Sequence, residues 1–268
     1  MNYLLALYRA QFRTTIAEQL QYRGGLVIWT IGLVLEPVIY LAVWSTVARS
    51  QGGSVGGFGA SDFAAYFLVA LVVNQATFTW IMWEMEYWIR QGNLSPLLLR
   101  PVHPIHRQLA VNLTFKLLTL AVVVPAALIL GVVFRPSFAG IEPWTALAFL
   151  PALILAVALR FAIEWTLALA AFWITRVTAV NQLYYVAFLF LSGQAVPLLL
   201  LPGPVQTLAE WLPFYRTLGF PVELLLGRLS PYDAAVGLAA QIVWLAAMVV
   251  VLNWVWARGI RQYSAVGA

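Results

Sequence analysis

The feature that most restricts the fold is the recurrence of apolar stretches long enough to cross a bilayer. Residues 109–134 and 144–174 carry one lysine, one arginine and one glutamate between them. A spanning helix needs about 20 mostly apolar residues, because the hydrocarbon core is about 30 Å thick and a helix rises about 1.5 Å per residue. Comparable stretches cover 24–48, 63–83, 180–201 and 234–256. Backbone polar groups have no water to bond to in lipid, so such stretches must be helical. The expected fold is an all-α polytopic membrane protein, one transmembrane domain over residues 1–268 with six spans. Its composition, 63% hydrophobic and 9% charged, excludes a soluble globular domain, where about 25% of residues are charged.

The absence of cysteine excludes disulfides, thiolate catalysis and thiolate metal sites. A formal charge of +5 favours contact with anionic lipid headgroups over nucleic acid, since no basic run occurs. Arg9, Arg13 and Glu18 interrupt any signal-peptide-like apolar region. Residues 1–22 instead read as an amphipathic helix lying at the membrane interface. Leu5, Tyr8, Phe12 and Ile16 form its apolar face.

The glycine-rich GGSVGGFG that follows the first span reads as a flexible external loop, with Ser61–Asp62 capping the second span. The stretch 144–174 is long enough that it must tilt or protrude. Ser192–Gly193 and Pro197 interrupt the fifth span. Residues 202–233 hold two short amphipathic pieces, VQTLAEWL and TLGFPVELLLG, that are too short to cross and read as an external re-entrant region. Arginines follow the positive-inside rule when both termini are cytoplasmic: Arg9, Arg13, Arg23, Arg90, Arg100, Arg107, Arg176, Arg258 and Arg261 then lie inside. Arg49, Arg135, Arg216 and Arg228 lie outside. The alanine-rich, lysine-poor composition points to a bacterial plasma membrane.

That orientation makes Glu84–Arg107 a cytoplasmic segment, the longest polar interruption in the chain. A helix entering from Trp80 and Trp83 is expected to stop at Gly92–Asn93. Ser95 as N-cap and Pro96 at the first helical position then start a short helix bearing Leu97, Leu98 and Leu99, which ends before Pro101. A greasy helix outside the bilayer reads equally as a connector or as a docking surface.

Charges inside spans are costly and seldom face lipid. Arg160 and Glu164 are four residues apart, on one helix face, and Glu36 falls at a similar depth. They form either a polar strip along a substrate route or a static bridge that fixes helix packing, the commoner role of buried pairs. Asn112 and Lys116 are expected to snorkel to the cytoplasmic interface. His103 and His106 flank Pro104 with no acidic or cysteine neighbour, so a solvated role is expected and no metal site. Ser192 lacks a histidine at its depth to activate it, which argues for a hinge and against a protease. No catalytic, cofactor-binding or metal residue is therefore expected. The chain has no G-x-x-x-x-G-K-[ST] loop, and its sole lysine, Lys116, opens a span, so any ATP-driven work needs a separate ATPase.

Two motifs carry a family resemblance. The first is Arg90, Gly92, Leu94, Leu97, Leu98, Arg100 and Pro101. The second is Ser192–Gly193 with Pro197, Pro202, Leu212–Pro213–Phe214, Pro221 and Gly227. With the six spans and the re-entrant region, they resemble the permease subunit of type-2 ABC exporters over nearly the whole chain. The resemblance implies that Arg90, Gly92, Leu94, Ser95, Pro96, Leu97, Leu98, Leu99, Arg100 and Pro101 form a coupling helix on an ATP-binding-cassette subunit, which would hold the ATP and Mg. It also implies a second permease, identical or homologous, and an outer gate built from Ser192, Gly193, Pro197, Pro202, Pro213 and Phe214. Sparse charge along the spans points to a hydrophobic or amphipathic substrate (lipid, drug or peptide). The alternative is an ion-coupled secondary transporter using Glu36, Arg160 and Glu164.

Overall fold

The computed structural model describes residues 2–21, 23–174 and 177–263; Arg176, one of the arginines used to orient the chain, lies outside them. Helix α1 (Asn2–Gln21) packs against α6 (Ile105–Phe134), and α2 (Arg23–Ser50) runs along α3 (Ala60–Thr77). The remaining helices are α4 (Ile81–Arg90), α5 (Ser95–Leu98), α7 (Pro143–Ala168), α8 (Thr178–Leu191), α9 (Gly203–Trp211), α10 (Pro213–Thr217), α11 (Gly219–Leu225) and α12 (Pro231–Gln262). Among the described residues, four helical segments are long and apolar enough to cross a membrane. They are Ala60–Arg90, Ile105–Phe134, Pro143–Phe172 and Pro231–Gln262.

The glycine-rich loop is not loose. Strands β1 (Ser54–Val55) and β2 (Phe58–Gly59) pair as a hairpin, with Val55 opposite Phe58. Gly56 and Gly57 both have positive φ, the requirement of a tight two-residue hairpin turn whose twist matches the strands. The hairpin sets Phe58 into the core, stacked on Phe63 at 5.2 Å. The cap of α3 is Gly59, not Ser61; Asp62 reaches back to accept the Gly59 N–H at 2.9 Å.

Helix α7 is the hub. It packs along α12, meets α4 at one end and α10 and α11 at the other, and continues into a tight 3-10 turn, Leu169–Phe172. Lipid tails are as apolar as leucine, so helices in a membrane associate through close packing more than through removal from water. Ala162, Ala168 and Ala171 are buried on this hub. Close helix approaches are made by glycines of α12. A Cβ on Gly237 would lie 1.9 Å from the Phe220 ring, and one on Gly259 would lie 2.3 Å from the Phe172 ring.

Candidate functional site

The apolar segment Ala60–Arg90 is not one straight rod. Helix α3 ends at Thr77, Phe78 turns away with φ −55° and ψ 145°, and α4 begins at Ile81. A helix that stops inside protein leaves carbonyls without partners and a partial negative charge at its C-terminus. A buried polar cluster meets both needs. Lys116 Nζ donates to the Thr77 carbonyl at 3.2 Å. Arg160 Nη1 donates to Asn74 Oδ1 at 2.7 Å and to Thr77 Oγ1 at 2.9 Å. Lys116 is therefore not a snorkelling anchor: it is buried, because the broken end of α3 offers its ammonium a partner at that depth.

Glu164 balances the cations. Its carboxylate receives Arg160 Nε at 2.7 Å, Tyr184 Oη at 2.9 Å and Thr79 Oγ1 at 2.5 Å. The Arg160 guanidinium also lies 4.0 Å from the Phe188 ring centroid. Side chains from α3, the break, α6, α7 and α8 thus converge where the segment Ala60–Arg90 changes direction. Glu36 does not join them. It is exposed on α2 and accepts Tyr40 Oη at 2.9 Å and Gln194 Nε2 at 3.0 Å. Sequence spacing identified the Arg160–Glu164 pair, but nothing in it marked Asn74, Thr77 or Thr79 as partners.

From the break, α4 leads to the polar segment. It ends at Arg90, whose guanidinium pairs with Glu86 at 3.3 Å on the surface, and Gly92 takes a φ of +72°. Ser95 does not cap α5. The residue before the helix is Leu94, and Ser95 Oγ instead meets Tyr263 Oη at 2.8 Å, tying the segment to the end of α12. Leu94 and Leu97 are buried, Leu98 is half-buried, and Pro96, Arg100 and Pro101 are exposed. Leu99 is 88% exposed and is the most outward of the leucines here.

His103 is half-buried and packed, not free in solvent. Its ring lies 4.5 Å from Trp256 and 5.7 Å from Trp165, and its Nδ1 accepts the Ile105 N–H at 3.2 Å. Burial, then the neighbouring His106, pushes its pKa below the usual imidazole value, so it sits as a neutral ring among indoles. His106 Nδ1 and Tyr8 Oη are 3.3 Å apart, which joins α1 to the same segment.

At the other end, Ser192 and Gly193 stop α8 as expected, but they are buried and packed, not open. Tyr66 Oη donates to the Gly193 carbonyl at 2.8 Å, and the Gly219 N–H donates to the Ser192 carbonyl at 2.8 Å. Gly193 has a φ of +90°, and a Cβ there would meet Tyr66 Oη at 2.5 Å. Pro197 is buried, Pro202 is exposed, Pro213 opens α10, and Phe214 lies 5.9 Å from Tyr184. The α9–α11 region is held by Tyr215 Oη donating to Glu223 at 2.5 Å and by Arg228, which pairs with Asp62 at 3.5 Å and covers the Phe58 ring at 3.6 Å.

The family described as ABC-2 family transporter protein matches residues 34–267, most of the chain. The chain belongs to the ABC-2 transporter family. No curated protein matches it. The matched region of this ABC-2 protein takes in the α4–α5 segment, the polar cluster and the turn after α8. Family membership and its apolar helices make it a multi-pass membrane protein.

Proposed function

We propose that this ABC-2 protein is the permease subunit of an exporter in the bacterial plasma membrane, driven by separate ATP-binding-cassette subunits. Two permeases, identical or homologous, form the path. Six spans cross the bilayer, with α2 and the interrupted 180–201 stretch joining the four long segments, and both termini are cytoplasmic. Helix α5 docks on the ATPase, which holds the ATP and Mg. The substrate is hydrophobic or amphipathic. The chain itself performs no catalysis.

The observation that carries this reading is the exposed Leu99–Arg100 step at the end of a continuous mechanical path. Leu94 and Leu97 anchor α5 from beneath, α4 follows, and the Thr77–Trp80 break transmits its tilt to Arg160 and Glu164 on α7. An apolar side chain held outward beside a cation suits a groove with an acidic rim. The break makes the second span a jointed lever and not a rigid rod. The turn at Ser192–Gly193 and the α9–α11 pieces form the outer gate, clamped through Tyr66 to the same span.

The ion-coupled alternative needs Glu36, Arg160 and Glu164 in one site. Glu36 has other partners, and that reading loses its third member. The test is co-purification of the tagged protein with its ATPase from native membranes. Loss of a Walker-type partner in Leu99→Asp supports docking; transport without any ATPase refutes it.

A further inference from the structure

A groove of about 550 Å³ opens between α3, α6 and α7, and Leu225 of α11 also lines it. Its walls are apolar, with Leu68 and Val72 of α3, Leu128 and Val132 of α6 and Phe149 of α7; Leu128 and Val132 are 68% and 80% exposed. One charged side chain lines it: Arg135, at the C-terminal end of α6. That guanidinium is exposed and has no hydrogen bond or ion pair among the described residues. Arg135 also ends α6 with a φ of +49°, the one non-glycine residue with positive φ among those described. Glycine or asparagine takes this left-handed conformation more readily. The chain therefore holds a strained, unpaired cation against an apolar slot.

The dimensions name the occupant. Along α6 the slot runs from Val124 to Arg135, about 16 Å at the helical rise. That is close to half of the roughly 30 Å hydrocarbon core, the depth of one leaflet. Arg135 lies where the span ends, at headgroup level, and its planar fork matches a phosphate. We propose that the groove is a binding site for an anionic phospholipid, with one acyl chain lying against Val132 and Leu128 and the phosphate on Arg135. In the orientation proposed above it belongs to the outer leaflet. Because Leu225 lines the groove, the bound chain braces α11 and so stabilises the re-entrant region.

The test is native mass spectrometry of the full-length protein in detergent, offered phosphatidylglycerol or phosphatidylethanolamine with the same acyl chains. Arg135→Asn removes the charge while tolerating the left-handed backbone, Arg135→Lys keeps the charge, and Val132→Trp fills the slot. The expected result is one tightly held phosphatidylglycerol, retained about tenfold more weakly by Arg135→Asn, as the loss of one charged hydrogen bond predicts. Arg135→Lys, with the charge but not the fork, retains it more strongly than Arg135→Asn, and Val132→Trp loses both lipids. Equal retention of the two lipids, or retention unchanged by Arg135→Asn or by Val132→Trp, overturns the proposal. So does a tightly held molecule that is not a phospholipid.

Discussion

The Lys116 ammonium lies 3.2 Å from the carbonyl oxygen of Thr77, at the point where α3 ends. The sole lysine of the chain thus sits at the negative end of a broken helix. Around it, Arg160 and Glu164 bind both sides of the break. The cluster reads as a joint in the path from α5 to α7.

Breaking this joint from one side should cost far more than replacing both partners. Arg160→Met leaves Glu164 buried with its main cation gone, a loss of about 3–5 kcal/mol for an orphaned buried charge. The double change Arg160→Met with Glu164→Leu should recover most of that stability, since apolar replacements of a buried pair are often neutral. Transport should stay lost in both. Thermal unfolding in detergent beside vesicle transport separates the two effects.

One close helix contact offers a steric test. Gly237→Ala places a methyl where the Phe220 ring already stands, and overpacking of this kind costs about 1–3 kcal/mol. Phe220→Leu should partly rescue it by making room. A melting series of the two single variants and the double reports whether the sites couple.

Glu223 predicts a pH effect. Burial pushes its carboxyl up to about 7, only partly offset by the Tyr215 hydroxyl and the Arg228 guanidinium. The unfolded chain releases that proton near 4.5, whereas the folded protein keeps it to about 7. Above 4.5 the unfolded state binds fewer protons, so this group's contribution falls as pH rises and levels off above about 7. Unfolding temperatures at pH 5 and pH 8 should differ less in Glu223→Gln than in the parent.

Much of this was legible in the sequence, and the reason differs by element. The long apolar stretches, the stop at Gly92 and the end of α8 at Ser192 rest on local chemistry, which periodicity and glycine report directly. The i,i+4 spacing of Arg160 and Glu164 gave their pairing. Their partners on α3 come from tertiary contact between segments over 80 residues apart, and no local signal carries that. The break at Phe78 was missed because Asn74–Thr79 contains no proline or glycine; buried charges hold it, not local propensity. Glu36 and His103 were misjudged for the same reason, since depth and neighbours decide whether a polar group is paired, exposed or packed. Hydrophobicity also failed to show which leucine of α5 faces outward.

The most direct test of the account is the effect of Leu99→Asp on capture of the ATPase by the intact, membrane-extracted protein, with Leu97→Ala as a fold-sensitive comparison. Burying an exposed leucine at an interface is worth about 1.5–3 kcal/mol, roughly a ten- to hundredfold change in affinity. The account predicts that Leu99→Asp loses the ATPase by at least tenfold while its unfolding temperature is unchanged, whereas Leu97→Ala lowers that temperature. Capture of the ATPase by Leu99→Asp at the parent level, with transport intact, would contradict it.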